Sequence, residues 1–297
     1  MEKDEYIGII VILGIIAIAA FGGNKYRNSN NGTLVDSSPI QQQTLQEKIV
    51  QAQVQVNDLK KQIQAQTDAK NRSIYFGKVK IQYINHSENT KNEYVVLHED
   101  DYSTTTIPVT GWSLRIVSSG DVYTISKASQ LFFSGVVNDE NPIILYPGDT
   151  VYVNTGLSPT GSNFKVNKCT GYLSQFQSFI PYLYTNCPLP RNEDTTSISR
   201  LPQNEECLKY LYSYQACKTQ IETLPASFTY ECKKFIIDKL NYPACVNTHK
   251  YDSDFYLKQW YVYLRQNKTI WDTIHSDITL YDSDGKVVDI LKYNLSF

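Results

Sequence analysis

Three groups of residues in this chain have types and spacings that could do chemistry. His249, Asp252 and Asp254 lie close enough in sequence to supply an acid/base pair or ligands to a metal. The stretch DITLYDSDGKVVDILKY, Asp277 to Tyr293, contains an acidic Asp-Ser-Asp-Gly turn of the composition found in calcium loops. Six cysteines, Cys169, Cys187, Cys207, Cys217, Cys232 and Cys245, are confined to one segment, where they could bridge to one another or hold a metal.

The calcium reading fails on register. With Gly285 as the glycine of an EF-hand-type loop, the first ligand position falls on Leu280 and the bidentate position on Leu291, both apolar. The same residues suit a hairpin corner in which Asp and Ser bond the turn backbone and Gly285 supplies a positive φ. The cysteines show none of the short C-x-x-C spacings of zinc or thioredoxin-like sites, so they predict disulfides and leave no free thiol. For His249, Asp252 and Asp254 two readings stand: a weak metal or polar cluster, or a local arrangement in which Asp252 or Ser253 caps a helical turn near Phe255 and His249 bonds nearby. The acidic run His98-Glu99-Asp100-Asp101 reads as a solvated rim. No G-x-S-x-G, H-E-x-x-H or Walker A pattern is present, and only four histidines are available for acid/base work. The expectation is therefore a non-enzymatic protein, with no catalytic residue, cofactor or metal. A hydrolase using His249 and nearby carboxylates is the minor alternative.

The balance of 28 Lys and Arg against 30 Asp and Glu argues against a nucleic-acid partner. Tyrosine is the more telling residue, with 23 copies. Many crowd the cysteine-containing segment, where they supply large amphipathic area at low side-chain entropy cost. Either they pack on helices with hydroxyls at the rim, or some of them, namely Tyr182, Tyr184, Tyr210, Tyr214 and Tyr251, form a recognition face for a protein or glycan. Trp112 and Trp260 are assigned to a core.

The elements that position these groups begin with YIGIIVILGIIAIAAF, Tyr6 to Phe21, an uncharged apolar run near the lower length limit for a bilayer-spanning helix. Its acidic preceding residues, MEKDEY, disfavour a cleaved signal peptide. Lys3 before the span and Lys25 and Arg27 after it nearly balance, and the even cysteine count tips the main part of the chain to the oxidising side. The expectation is a single-pass cell-membrane protein with an extracytoplasmic C-terminal part.

Residues 1–23 form the anchor in this reading and 24–43, rich in Asn, Ser, Gly and Gln, a disordered tether. In 44–70, Leu45, Ile49, Ala52, Val56, Leu59 and Ile63 recur at alternating spacings of four and three, a heptad stripe. This predicts a coiled-coil stalk that oligomerises, or a single amphipathic helix leaning on the head. From Lys78 the period falls to two, with Val79, Ile81 and Tyr83 on one face. Further strands are expected at Tyr94–Leu97, Trp112–Val117, Val122–Ile125, Ile143–Tyr146, Thr150–Asn154, Trp260–Leu264, Ile278–Tyr281 and Val287–Leu291. Short strands separated by turn signals point to an antiparallel sandwich in two parts, 74–162 and 252–297, interrupted by a helical insertion at 163–251.

Within the insertion, CLKYLYSYQACK and FTYECKKFIIDKLN have helical patterns, with Pro225 in the connection and Pro243 as a stop. Joined as an antiparallel hairpin they would pair Cys207 with Cys245 and Cys217 with Cys232, leaving Cys169 for Cys187. Cys207 and Cys217 would sit about 15 Å apart on a continuous helix and could not bond each other. Other connectivities remain open to six cysteines.

Three motifs occur in a telling order: VTGWSLRI (Val109–Ile116), IILYPGDTVYVNTG (Ile143–Gly156), and DITLYDSDGKVVD with Tyr293 beyond it. Together they resemble the lamin tail domain as it occurs in bacterial surface proteins. NYPACVNTHKYDSDF with WYVYL resembles an insertion found in membrane-anchored members. The resemblance covers roughly Lys78 to Tyr293. It implies a mainly β, immunoglobulin-like sandwich used for binding, adhesion or structural attachment to envelope or surface partners, with no catalytic residues to carry over. The alternative role is a structural envelope protein that self-assembles through the heptad stalk.

Overall fold

A computed structural model describes residues 39–133, 136–271 and 277–292. The expected anchor, most of the tether and Tyr293 lie outside the described residues. Among those residues no helix is long and apolar enough to cross a membrane. The chain divides into two units, Met1–Gln64 and Ala65–Phe297.

Helix α1 runs from Pro39 to Asn71, so Pro39 to Gln43, expected in the tether, are helical. Proline is tolerated in a first helical turn, and glutamine is a good helix former. Along α1 the apolar side chains Ile49, Val50, Val54, Leu59 and Ile63 are exposed.

The second unit is mainly β, with several sheets and some helices. Its strands are β1 (Val79–Asn85), β2 (Tyr94–Glu99), β3 (Ile107–Pro108), β4 (Ser113–Ile116), β5 (Val122–Thr124), β6 (Ile144–Leu145), β7 (Thr150–Asn154), β8 (Phe164–Asn167), β9 (Tyr256–Tyr263), β10 (Ile278–Tyr281) and β11 (Val287–Leu291). They form a five-stranded sheet in the order β1-β2-β7-β9-β8, a four-stranded sheet β11-β10-β4-β5 and the two-stranded β3-β6. One apolar cluster draws on all three: Val95, Leu97, Val151 and Val262 from the first, Leu114, Ile278 and Val288 from the second, and Ile107 and Leu145 from the third. Trp112 and Trp260 are buried in this cluster, as expected.

Two expectations about the strands need correction. Tyr83 does not share the inward face of Val79 and Ile81. The pairing of β1 with β2 slips between Ile81 and Tyr83, so the extra residue turns Tyr83 outward and brings Ile84 in. Nor is the pairing antiparallel throughout, because β7 and β9 run parallel, with Val151 opposite Trp260. A parallel pair requires a long crossover, and here that crossover is the whole intervening segment.

The insertion is not a separate body. Its first residues, Phe164 to Asn167, form β8 and pair with β9. Along β9, Trp260 and Val262 enter the first cluster, whereas Tyr261 and Tyr263 enter a second one with Phe164, Val166, Cys169, Phe179, Tyr242 and Phe255. This strand is covered on both faces, which explains why WYVYL is apolar without alternation. Phe164 and Tyr261 stack with centroids 5.5 Å apart and planes 4° from parallel.

Helices follow at α2 (Thr196–Ser199), α3 (Glu205–Ser213), α4 (Tyr230–Lys239) and α5 (Tyr242–His249). The third cluster, including Ile198, Leu211, Phe228, Phe235 and Ile236, lies among α2, α3 and α4. Thr229 caps α4 by accepting from the Cys232 N–H at 3.1 Å.

All six cysteines are bridged, but not in the expected pairs: Cys169–Cys245, Cys187–Cys217 and Cys207–Cys232. The expected hairpin required two long helices. Instead α3 stops at Ser213, and Cys217 lies beyond it with φ 58°, turned back toward Cys187. Pro243 does not only stop a helix: Asn241 caps a new one, accepting from the Ala244 N–H at 2.9 Å, and Pro243 sits in its first turn. Cys245 therefore belongs to α5 and reaches Cys169, leaving the first turns of α3 and α4 to join through Cys207 and Cys232.

Candidate recognition surface

The segment between Gln175 and Cys187 is built to hold aromatic side chains still. Phe179 and Leu183 are buried in the second cluster. The Tyr261 hydroxyl donates to the Pro181 carbonyl at 3.0 Å and lies 3.3 Å from the Tyr182 backbone carbonyl oxygen. At one end the Gln175 side chain donates to the Thr219 carbonyl (3.0 Å) and accepts from the Thr219 N–H (2.7 Å). At the other, Cys187 is bonded to Cys217. Gly171 lets this loop pack closely, because a Cβ there would lie 2.9 Å from the Tyr184 carbonyl oxygen. From this frame Tyr182, 85% exposed, Tyr184 and Phe176 point to solvent. Rotamer-poor aromatics on a pinned loop lose little entropy on binding.

Tyr251 is also exposed, on the turn after α5, with the Lys250 ammonium 5.1 Å from its ring centroid. Tyr210 and Tyr214 do not belong to an exposed face. They share the stripe of α3 and its end that carries Cys207 and Leu211, and both hydroxyls donate to Gln220 Oε1, at 3.0 and 2.9 Å. Burial raises the Tyr214 pKa to about 12. Helical spacing from Cys207, three residues to Tyr210 and seven to Tyr214, was the available signal. Tyr212, off that stripe, is the exposed tyrosine of α3, and the Arg191 guanidinium lies 5.0 Å from its ring centroid.

His249, Asp252 and Asp254 are brought together, with partners that sequence reasoning missed. His249 Nδ1 lies 2.8 Å from Asp252 Oδ2 and Nε2 lies 3.0 Å from Glu193 Oε1. Lys168 Nζ bonds Asp252 at 3.1 Å and Asp254 at 2.5 Å. Burial works against a protonated imidazole, but the hydrogen bonds to Glu193 and Asp252 outweigh it and raise the His249 pKa. Hydrogen bonds from His249 and Lys168 lower the Asp252 pKa, and Lys168 lowers that of Asp254. Both imidazole nitrogens are engaged and a lysine ammonium bridges the carboxylates, so the arrangement ties the ends of β8 and α5 to the turn at Glu193. Among the described residues no group of three or more His, Cys, Asp or Glu side chains could hold a metal ion.

The Asp-Ser-Asp-Gly turn is a corner between β10 and β11. Asp282 Oδ1 accepts from the N–H groups of Asp284 and Lys286, each at 2.9 Å, and Gly285 has φ 74°. The rim reading holds for Asp100 and Asp101, which are exposed, and not for Glu99. Strand β2 extends through Glu99, and alternation from Val95 and Leu97 sends its side chain inward, where it is fully buried. Burial raises its pKa against the lowering effect of the Ser103 hydroxyl, and the nearby charge of Asp149 adds to the rise. Asp149, from the Pro-Gly-Asp turn, is buried and accepts from the Tyr146 N–H at 3.1 Å and from Trp260 Nε1 at 3.3 Å.

Comparison of the chain with protein-family models, curated proteins and solved structures finds no match.

Proposed function

We propose that this chain is a non-enzymatic, single-pass membrane protein whose extracytoplasmic head binds a protein or glycan on the envelope or on a neighbouring surface. In this reading the head is a lamin-tail-like, immunoglobulin-type β-sandwich, and the loop carrying Tyr182 and Tyr184 is its recognition element. The observation that carries the proposal is that loop: exposed aromatics held by the Cys187–Cys217 bridge and by the Tyr261 hydroxyl.

The sandwich assignment is supported by the pairing of two of its motifs. Ile278, in the third motif, lies opposite Ile116, in the first, and Trp112 and Leu280 share one apolar cluster. An extracytoplasmic head is supported by three disulfides, and a membrane anchor by the apolar run Tyr6 to Phe21. Against the hydrolase alternative, both imidazole nitrogens of His249 are hydrogen-bonded to carboxylates.

The test uses the full chain in proteoliposomes and isolated envelopes as the probe, intact, protease-treated or periodate-treated. Tyr182→Ala with Tyr184→Ala should weaken binding at least tenfold without moving the thermal unfolding midpoint. Loss after one treatment only assigns the partner to protein or glycan. Unchanged binding by the double variant overturns the assignment of this loop.

A further inference from the structure

The apolar stripe of α1 has a residue order that selects its own partner. Written as heptads, Ile49, Val56 and Ile63 occupy a positions, and Leu45, Ala52 and Leu59 occupy d positions. We propose that α1 forms a parallel, in-register, two-stranded coiled coil with a second copy of this chain.

Three observations carry this. First, the a and d positions differ in kind: every a residue is β-branched and none of the d residues is. β-branched side chains at a with leucine at d fit the packing of parallel dimers, whereas isoleucine at d favours higher order. Second, Ile49, Leu59 and Ile63 are 51%, 44% and 44% exposed in the single chain, an apolar seam open to solvent. Third, the flanking charges permit the register. In a parallel dimer each g residue faces the e residue of the partner's next heptad, giving Lys48 with Gln53, Gln55 with Lys60 and Gln62 with Thr67. No pair joins like charges.

The stripe is short, about three heptads, and Ala52 leaves a shallow central layer, so association from free solution would be weak. The apolar run Tyr6–Phe21 precedes α1 in every copy. Anchoring two chains by the same end in one membrane raises their effective concentration and favours the parallel orientation. The dimer would carry two recognition loops, so a modest affinity per head is converted into avidity when both engage. The dimer itself does not depend on what the heads bind.

The experiment uses the full chain in its membrane. All six native cysteines are bridged, so a single introduced thiol reports on its own neighbour. Leu59→Cys, at a d position, should cross-link under mild oxidation and move the non-reduced band from 34.0 kDa to about twice that mass. Lys61→Cys, at an outward f position, should cross-link at least tenfold less. Adding Val56→Lys to Leu59→Cys should abolish the cross-link while the thermal unfolding of the head stays unchanged. The proposal is overturned by equal cross-linking at 59 and 61, or by no cross-link at 59. It is likewise overturned by efficient linkage only when Leu45→Cys and Ile63→Cys chains are mixed, the antiparallel outcome, or by a trimer mass in sedimentation equilibrium of the detergent-solubilised chain.

Discussion

Lys165 and Asp149 form a buried ion pair at 3.4 Å, their side chains 8% and 2% exposed, which links the first strand of the insertion to the Pro-Gly-Asp turn before β7. The Lys165 ammonium also lies 4.8 Å from the Trp260 ring centroid, so a cation and its counter-ion share one aromatic wall with Trp260 Nε1 donating to the carboxylate. Breaking a buried pair from one side strands the other charge, and that penalty exceeds the net worth of the pair. Asp149→Ala should therefore lower the stability of the head by about 3–5 kcal/mol. The double change Asp149→Asn with Lys165→Met should lose clearly less. Urea unfolding of the three proteins decides, and equal losses would mean that the pair is solvated.

The disulfide connectivity makes a sharp prediction for peptide mapping without reduction. Linked peptides should carry Cys169–Cys245, Cys187–Cys217 and Cys207–Cys232, and recovery of Cys207–Cys245 would revert the fold to a simple helical hairpin. Loop closure over separations of 76, 30 and 25 residues ranks their contributions. On the chain-entropy account the longest is worth about 4–5 kcal/mol and each of the others about 3–4 kcal/mol. Replacing Cys169 and Cys245 by serine should thus lower the melting temperature more than replacing either other pair.

Glu99 makes the head sensitive to pH in a definite direction. Its folded-state pKa is raised above the ordinary 4.5, so its contribution to stability is present below that value and is lost as pH rises through the folded one. Glu99→Gln removes this titration. The stability of the variant relative to the parent should grow as pH rises above 4.5, measured as the difference in denaturation midpoint across the range. A constant difference would show that Glu99 does not titrate in this way.

His249 adds a second window with the same sign. Its pKa is raised above 6.5 by Glu193 and Asp252 against the effect of burial, so the contribution of the protonated ring is full below 6.5 and falls as pH rises through the folded value. His249→Ala should destabilise the head most below pH 6.5 and progressively less above it. Proton titration of the ring by NMR should place its midpoint on the alkaline side of 6.5, and a midpoint on the acidic side would mean that burial dominates.

What the sequence determined by itself was local. β7, β10 and β11 lie where alternating apolar residues bounded by turn residues place them, and the Asp282-to-Gly285 corner follows from Gly285 and the reach of a short carboxylate to nearby N–H groups. Such features depend on neighbours a few residues apart, so periodicity and turn chemistry expose them. What only the tertiary structure decided was partnership at long range. One slipped residue between Ile81 and Tyr83 reverses a face, an inward Glu99 breaks the polarity pattern, and WYVYL loses alternation because both its faces are covered. The cysteine pairing was hidden for the same reason. Two early helix endings, at Ser213 and at Lys239, redirect Cys217 and Cys245 to partners 30 and 76 residues away, and contacts of that span are selected by which surfaces can be buried together rather than by spacing along the chain.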